Sequence, residues 1–237
     1  MDNGAPVLVV PDRGDLHALA SWLDERRAFL RDREPSAEWA ASVEPLGYSE
    51  EAPPGPFGHH GDPLWRAFAW ATFLADQASY PEPVDQVDLA RLLYVMAVFP
   101  RGFRLWGAEA PGLGWVPVGY SGWYPIAESS FELLEQRAAS LRDRMVVPLP
   151  AVEPEGSFVH VFNFSIVRAL RGTVASKRLV RGLAGELAGV RRRGLSAITV
   201  SPEGARVVER LGMRRTGTMV VGGCEEGVFT GRVRPPD

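Results

Sequence analysis

The run from Phe158 to Leu187 constrains the fold more than any other part of the chain, because its hydrophobic period changes once, across a loop of small residues. Phe158 to Val167 is mostly β-branched and aromatic, with His160, Asn163 and Ser165 as polar exceptions, and predicts a buried strand. From Ser176 the period turns helical. Leu179, Leu183, Leu187 and Val190 recur along one face, with Val180, Ala184 and Ala188 beside them and Arg178, Arg181, Glu186 and Arg192 elsewhere, the pattern of an amphipathic helix packed on a sheet. Between the two lies Arg171-Gly172-Thr173-Val174-Ala175-Ser176-Lys177. A loop that runs straight into a helix start presents unpaired backbone N–H groups and the positive end of the helix dipole, which suits a phosphate or pyrophosphate.

This loop resembles the acyl-CoA signature of the GNAT superfamily of N-acyltransferases, R/Q-x-x-G-x-G/A. Arg171 matches the first position, Val174 stands where the middle glycine is usual, and Ser176 takes the small last position. A second stretch, Ser201-Pro-Glu-Gly-Ala-Arg-Val-Val-Glu-Arg-Leu-Gly-Met213, resembles the family's N-x-x-A-x-x-x-Y-x-x-x-G-F, with Ser201, Val208 and Met213 replacing the asparagine, tyrosine and phenylalanine. The resemblance implies an α/β fold: a mixed, mostly antiparallel central sheet flanked by helices, here with an enlarged helical segment in the N-terminal half. It implies one domain over residues 1–237. Residues 5–100 would carry the first strand and the helices with their insertion; 101–237 would carry the hairpin, the acyl-CoA-binding strand, loop and helix, and the last strands.

Composition fits a soluble globular chain: 237 residues, 46% hydrophobic, 23% charged. A net charge of −3 gives no electrostatic footprint for nucleic acid. One cysteine, Cys224, excludes an internal disulfide and a cysteine-rich zinc site. No signal peptide is visible, and the longest apolar runs, Ala67 to Ala75 and Leu92 to Phe99, fall short of the roughly 18 residues a membrane span needs, so the expectation is a cytoplasmic protein with no membrane partner. Lys177 is the sole lysine among 26 basic residues, and it lies in the candidate phosphate loop.

In chain order, Ala5 to Val10 reads as a strand, and Asp15 as the N-cap of a helix carrying Leu16, Leu19, Ala20, Leu23 and Leu30 on one face. Pro35 to Pro63 reads as loop. Leu64 to Ser79 and Asp88 to Phe99 read as helices, Phe103 to Glu109 and Trp115 to Ile126 as two strands around a glycine turn, and Ser129 to Arg142 as a helix. After the central helix, Leu195 to Ser201 is a strand, Pro202 to Leu211 a short helix, and Gly217 to Val221 with Gly227 to Val233 a final pair of strands, a candidate homodimer edge. Opening strand, helices, hairpin and central strand–loop–helix follow the family's order.

The resemblance assigns roles. Backbone N–H groups around Ile166, Val167 and Arg168 face the pantetheine arm and thioester carbonyl; Arg171, Gly172, Thr173, Val174, Ala175, Ser176 and Lys177 take the diphosphate of acetyl-CoA or another acyl-CoA. His160 is the first choice of base, since a neutral imidazole accepts a proton near neutral pH; the competing reading is a buried strand histidine satisfied by a neighbour. With Val208 at the usual proton donor's position, Tyr120, Tyr124 or Cys224 serves as acid, or the thiolate leaves unprotonated. Tyr120 and Tyr124 are also the residues assigned to the acceptor, an amine of a small molecule or a peptide. The enlarged aromatic first half suggests an apolar pocket for a bulky acceptor or a long acyl chain. No metal site is expected: His59 and His60 are adjacent, point different ways and lack a third ligand. Two other readings stay open, a GNAT-like module without catalysis that senses a ligand or binds a protein, and a serine hydrolase using Ser121.

Overall fold

The computed structural model describes residues 16–32, 35–48, 63–80, 82–136, 146–221 and 223–233. Seven strands make one sheet in the order β1-β2-β3-β4-β5-β7-β6: β1 Glu44–Gly47, β2 Phe103–Ala110, β3 Gly114–Ile126, β4 Ser157–Ile166, β5 Arg192–Thr199, β6 Arg214–Val221 and β7 Cys224–Arg232. Of the pairings seen, β1–β2, β5–β7 and β6–β7 are antiparallel and β4–β5 is parallel, so the sheet is mixed, as expected. Its helices are α1 Leu16–Asp32, α2 Ala37–Ala41, α3 Pro63–Ser79, α4 Leu89–Val98, α5 Glu128–Gln136, α6 Val174–Gly189 and α7 Pro202–Arg210. The chain divides into two compact units, Met1–Ser121 with Ser165–Leu179, and Gly122–Phe164 with Val180–Asp237.

In the first unit, α3 and α4 stand where two helices were expected and bury Trp65, Phe68, Leu74, Leu92, Val95 and Met96. Asp88 caps α4, its side chain accepting from the Arg91 N–H at 3.1 Å. The turn between β2 and β3 rests on Gly112 and Gly114, both at positive φ. Arg26 fastens α1 to that turn: it donates to Leu113 O at 2.5 Å and Trp115 O at 3.3 Å and stacks 4.0 Å from the Trp22 ring centre. The expected loop from Pro35 to Pro63 is corrected, because it contains α2 and β1. The Ser36 hydroxyl caps α2 by accepting from Trp39 N at 3.1 Å, and Pro45 is tolerated because β1 is an edge strand, pairing with β2 from Glu44↔Gly107 to Gly47↔Arg104. The expected strand Ala5 to Val10, the Asp15 cap and His59–His60 lie outside the described residues, as do 137–142 of the expected helix Ser129 to Arg142.

In the second unit, β5, β7 and β6 form an antiparallel set. α5 lies on it through Phe131, whose ring centre is 4.4 Å from that of Phe158, and Thr216 Oγ1 donates to Leu134 O at 3.4 Å. Ser201 caps α7, accepting from Gly204 N at 3.1 Å. Val208, at the second signature's tyrosine position, is fully buried and offers no hydroxyl; Met213 is buried too.

Candidate active site

The site grows from the end of β4. Val167 N–H donates to Val118 O at 2.8 Å, so that amide is taken by β3, and alternation along the strand turns the Ile166 amide to the opposite edge. A single 3₁₀ turn, Arg168–Leu170, follows, anchored by the fully buried Leu170 while Arg168 stays exposed. Gly172 then adopts φ +77°, and a Cβ there would meet nothing within 4 Å; the glycine is needed for its dihedral, not for space.

Thr173 caps α6: its Oγ1 accepts from Ala175 N at 3.2 Å and donates to Leu170 O at 2.6 Å, while Ser176 Oγ donates to Thr173 O at 3.0 Å. Val174, the residue standing for a glycine, is the first residue of the helix, with a 41% exposed side chain, and no described residue other than glycine has positive φ. A valine is therefore unstrained here. Lys177 N donates to Thr173 O, and among the described residues the N–H groups of Gly172, Val174 and Ser176 have no hydrogen-bond acceptor. They make the concave, electropositive start of α6, with the exposed Lys177 beside it.

Arg171 is engaged otherwise than as a free cation. Its Nη2 donates to Ser79 O at 2.8 Å and its Nε to Ile166 O at 3.4 Å, tying the loop to the last turn of α3.

That same turn of α3 carries a group that sequence reading missed. Asp76 is fully buried, its Oδ1 accepting from Tyr120 Oη at 2.8 Å and its Oδ2 from Val87 N at 2.8 Å. Burial pushes its pKa up to about 6, outweighing the two hydrogen bonds that pull it down. A signal was there: Phe68, Thr72, Asp76 and Ser79 share one buried helical face, on which a carboxylate needs a partner. Beside Tyr120, Gly119 lets β3 come so close to β4 that a Cβ would overlap Ser165 O and stand 2.9 Å from Ile166 Cα.

His160 and Tyr124 come together in the second unit. His160 is 1% exposed, its Nδ1 lies 3.0 Å from Ser196 Oγ on β5, and its ring centre is 5.4 Å from that of Tyr124, whose hydroxyl donates to Val146 O at 3.2 Å. Ser121 accepts from Trp106 Nε1 at 3.3 Å, and among the described residues no imidazole bonds to it, so nothing prepares it as a hydrolase nucleophile.

The β4–β5 ladder runs from Ser157 only to Val161↔Ala197. β4 continues to Ile166, while Ile198 and Thr199 of β5 pair with Val228 and Gly227 of β7. Beyond Val161, therefore, that edge of β4 has no pairing with β5.

No family model and no curated relative matches the sequence. Solved structures do match the fold. A chain of the NatC complex bound to Gag peptide and CoA superposes with TM-score 0.51 at 12% identity, over 81% of this chain and 99% of that one. The loading GNATL domain of CurA from Lyngbya majuscula gives 0.52 at 12%, over 80% and 97%. The GphF GNAT-like decarboxylase in complex with isobutyryl-CoA gives 0.50 at 12%, over 81% and 99%. The splayed β4, the capped α6 start and these superpositions agree, and the chain has the GNAT fold.

Proposed function

We propose that the chain is an acyl-CoA-dependent N-acyltransferase, moving an acetyl or longer acyl group to an amine of a small molecule or peptide. The observation that carries this reading is the start of α6, where Thr173 caps the helix and, among the described residues, the N–H groups of Gly172, Val174 and Ser176 have no hydrogen-bond acceptor. A diphosphate suits the N–H groups of Gly172, Val174 and Ser176, with Lys177 adding charge. Two of the solved structures of this fold hold CoA or an acyl-CoA.

In this reading the neutral amine attacks the thioester carbonyl carbon, the C–N bond forms, the C–S bond breaks, and the amine proton passes to a base while the thiolate is protonated. His160 is the proposed base, held in position by Ser196. Tyr120 and Tyr124 are fully buried, with their hydroxyls committed to Asp76 and Val146 O, and neither is proposed as the acid. No described helix is long and apolar enough to cross a membrane.

A thermal melt titrated with acetyl-CoA, longer acyl-CoAs and free CoA tests the reading; a ligand at 100 times its Kd stabilises by about 2.7 kcal/mol. Stabilisation that Ser176→Glu weakens supports it, and no shift with any of them overturns it. The buried Val208 favours a second reading, a ligand-sensing module without turnover. Stabilisation by acyl-CoA with no free thiol released across an amine panel would select that reading.

A further inference from the structure

Within the first unit lies a cavity of about 470 Å³, in the size range of sites for small organic ligands. It stands between α1, α2, the β2–β3 turn and the turn after β4. Its floor is Val167 and Leu170, both buried, and its walls include Phe29 and Trp39, whose rings meet edge to face with centres 5.5 Å apart. The Trp39 indole is fixed by donation from Nε1 to Glu109 O at 2.9 Å, and Arg26 ties α1 to the same turn, so the walls are held before any ligand arrives. Among the described residues, two carboxylates, Glu38 and Glu109, line the cavity, and no basic side chain does.

That charge pattern is the reverse of the α6 start. It disfavours the phosphates of CoA and favours a cation, and an aromatic wall with carboxylates at the edge is the environment in which an ammonium group is held by ion pairing and by the ring face together. The apolar floor and walls demand an apolar body on that cation. An anionic or purely polar ligand leaves these surfaces uncompensated.

We infer that this cavity binds an organic monocation, a primary ammonium carried on an aromatic or branched apolar body, and that such amines are the acceptor class of the transfer proposed above, a step that rests on that reading. The balance is R–NH₂ plus acyl–S–CoA giving R–NH–acyl plus CoA–SH: the ammonium first loses one proton, the amine loses a second as C–N replaces C–S, and the departing sulfur takes one up. Val167, Ala169 and Leu170 belong both to this cavity and to the turn that leads from β4 to the acyl-CoA loop. The ammonium can come from a free amine or from the first residue of a peptide with an apolar side chain.

Calorimetric titration of the full chain with 2-phenylethylamine, its uncharged analogue 2-phenylethanol, and the tripeptide amide Phe-Val-Ala-NH₂ tests this, with acetyl-CoA titrated in parallel. The expected result is about tenfold tighter binding of the amine than of the alcohol, a preference abolished in the Glu38→Gln, Glu109→Gln double variant while acetyl-CoA binding is retained. Both carboxylates are on exposed residues, so the variant folds. The stronger of the two amine ligands identifies the source. Equal binding of amine and alcohol, or a preference that survives the double substitution, overturns the inference. Amine binding without acetyl-CoA binding upholds the ligand class and overturns the acceptor role.

Discussion

Tyr120 Oη donates to Asp76 Oδ1 at 2.8 Å, a bond between a strand and a helix made where neither side chain meets water. Together with the Val87 N–H on Oδ2, it fixes the last turn of α3, the turn whose Ser79 carbonyl receives Arg171 from the loop before α6. A buried acid thus anchors the frame against which the loop is set.

Asp76 predicts a specific pH dependence. Its folded pKa, about 6, is raised above the ordinary 3.8, so the folded state holds the proton more tightly than the unfolded state. The stabilisation is fully present below about pH 4 and is lost as pH rises through about 6, amounting to about 3 kcal/mol across that window. Urea melts from pH 4 to 7.5 should show the wild type losing about that much relative to Asp76→Asn. Equal pH slopes would contradict the assignment. Asp76→Ala, which strips the acceptor from Tyr120 and Val87, should cost about 2–4 kcal/mol at neutral pH.

Arg171 is predicted to act through the loop rather than on phosphate. Arg171→Ala should lower stability by about 1–2 kcal/mol and weaken acetyl-CoA binding, while leaving the salt dependence of that binding unchanged. Arg171→Lys should recover little, since one ammonium does not reproduce the two directed bonds to Ser79 O and Ile166 O. A flattened salt dependence in Arg171→Ala would instead mean that the guanidinium meets the phosphates directly.

Two glycines should fail for different reasons. Gly172→Ala is charged only for its dihedral, about 1 kcal/mol, and Gly172→Asn, at ease in the left-handed region, should cost less. Gly119→Ala forces β3 away from Ser165 and Ile166 and should cost about 3 kcal/mol or more. Chemical denaturation of the three variants ranks them.

His160→Gln should lower kcat by about 100-fold or more, with KM for acetyl-CoA little changed, if His160 takes the amine proton. An unchanged kcat would leave His160 as a packed strand residue bonded to Ser196.

Much of the frame was legible in the sequence. The period change between Phe158 and Leu187 located β4 and α6 within two residues, and Trp65, Phe68, Leu92 and Met96 marked α3 and α4. What escaped notice depended on distant partners. β1 was hidden because Pro45 argues against a strand unless its position at a sheet edge is known, and α2 because its five residues are held by Ser36 and Trp39 rather than by any period. Asp76 is one acid in an apolar run, and its meaning comes from Tyr120, distant in sequence. Val174 reads as a damaged glycine position, yet at the first turn of α6 it keeps helical backbone and leaves the N–H in place.

Hydrogen exchange of the backbone amides with and without acetyl-CoA tests the central claim most directly. Added protection is predicted to be confined to the end of β4 and the loop that follows, residues 162–177, with the largest change at Ile166, Gly172, Val174 and Ser176. Unchanged exchange there under saturating acetyl-CoA, or protection only elsewhere in the chain, would contradict it.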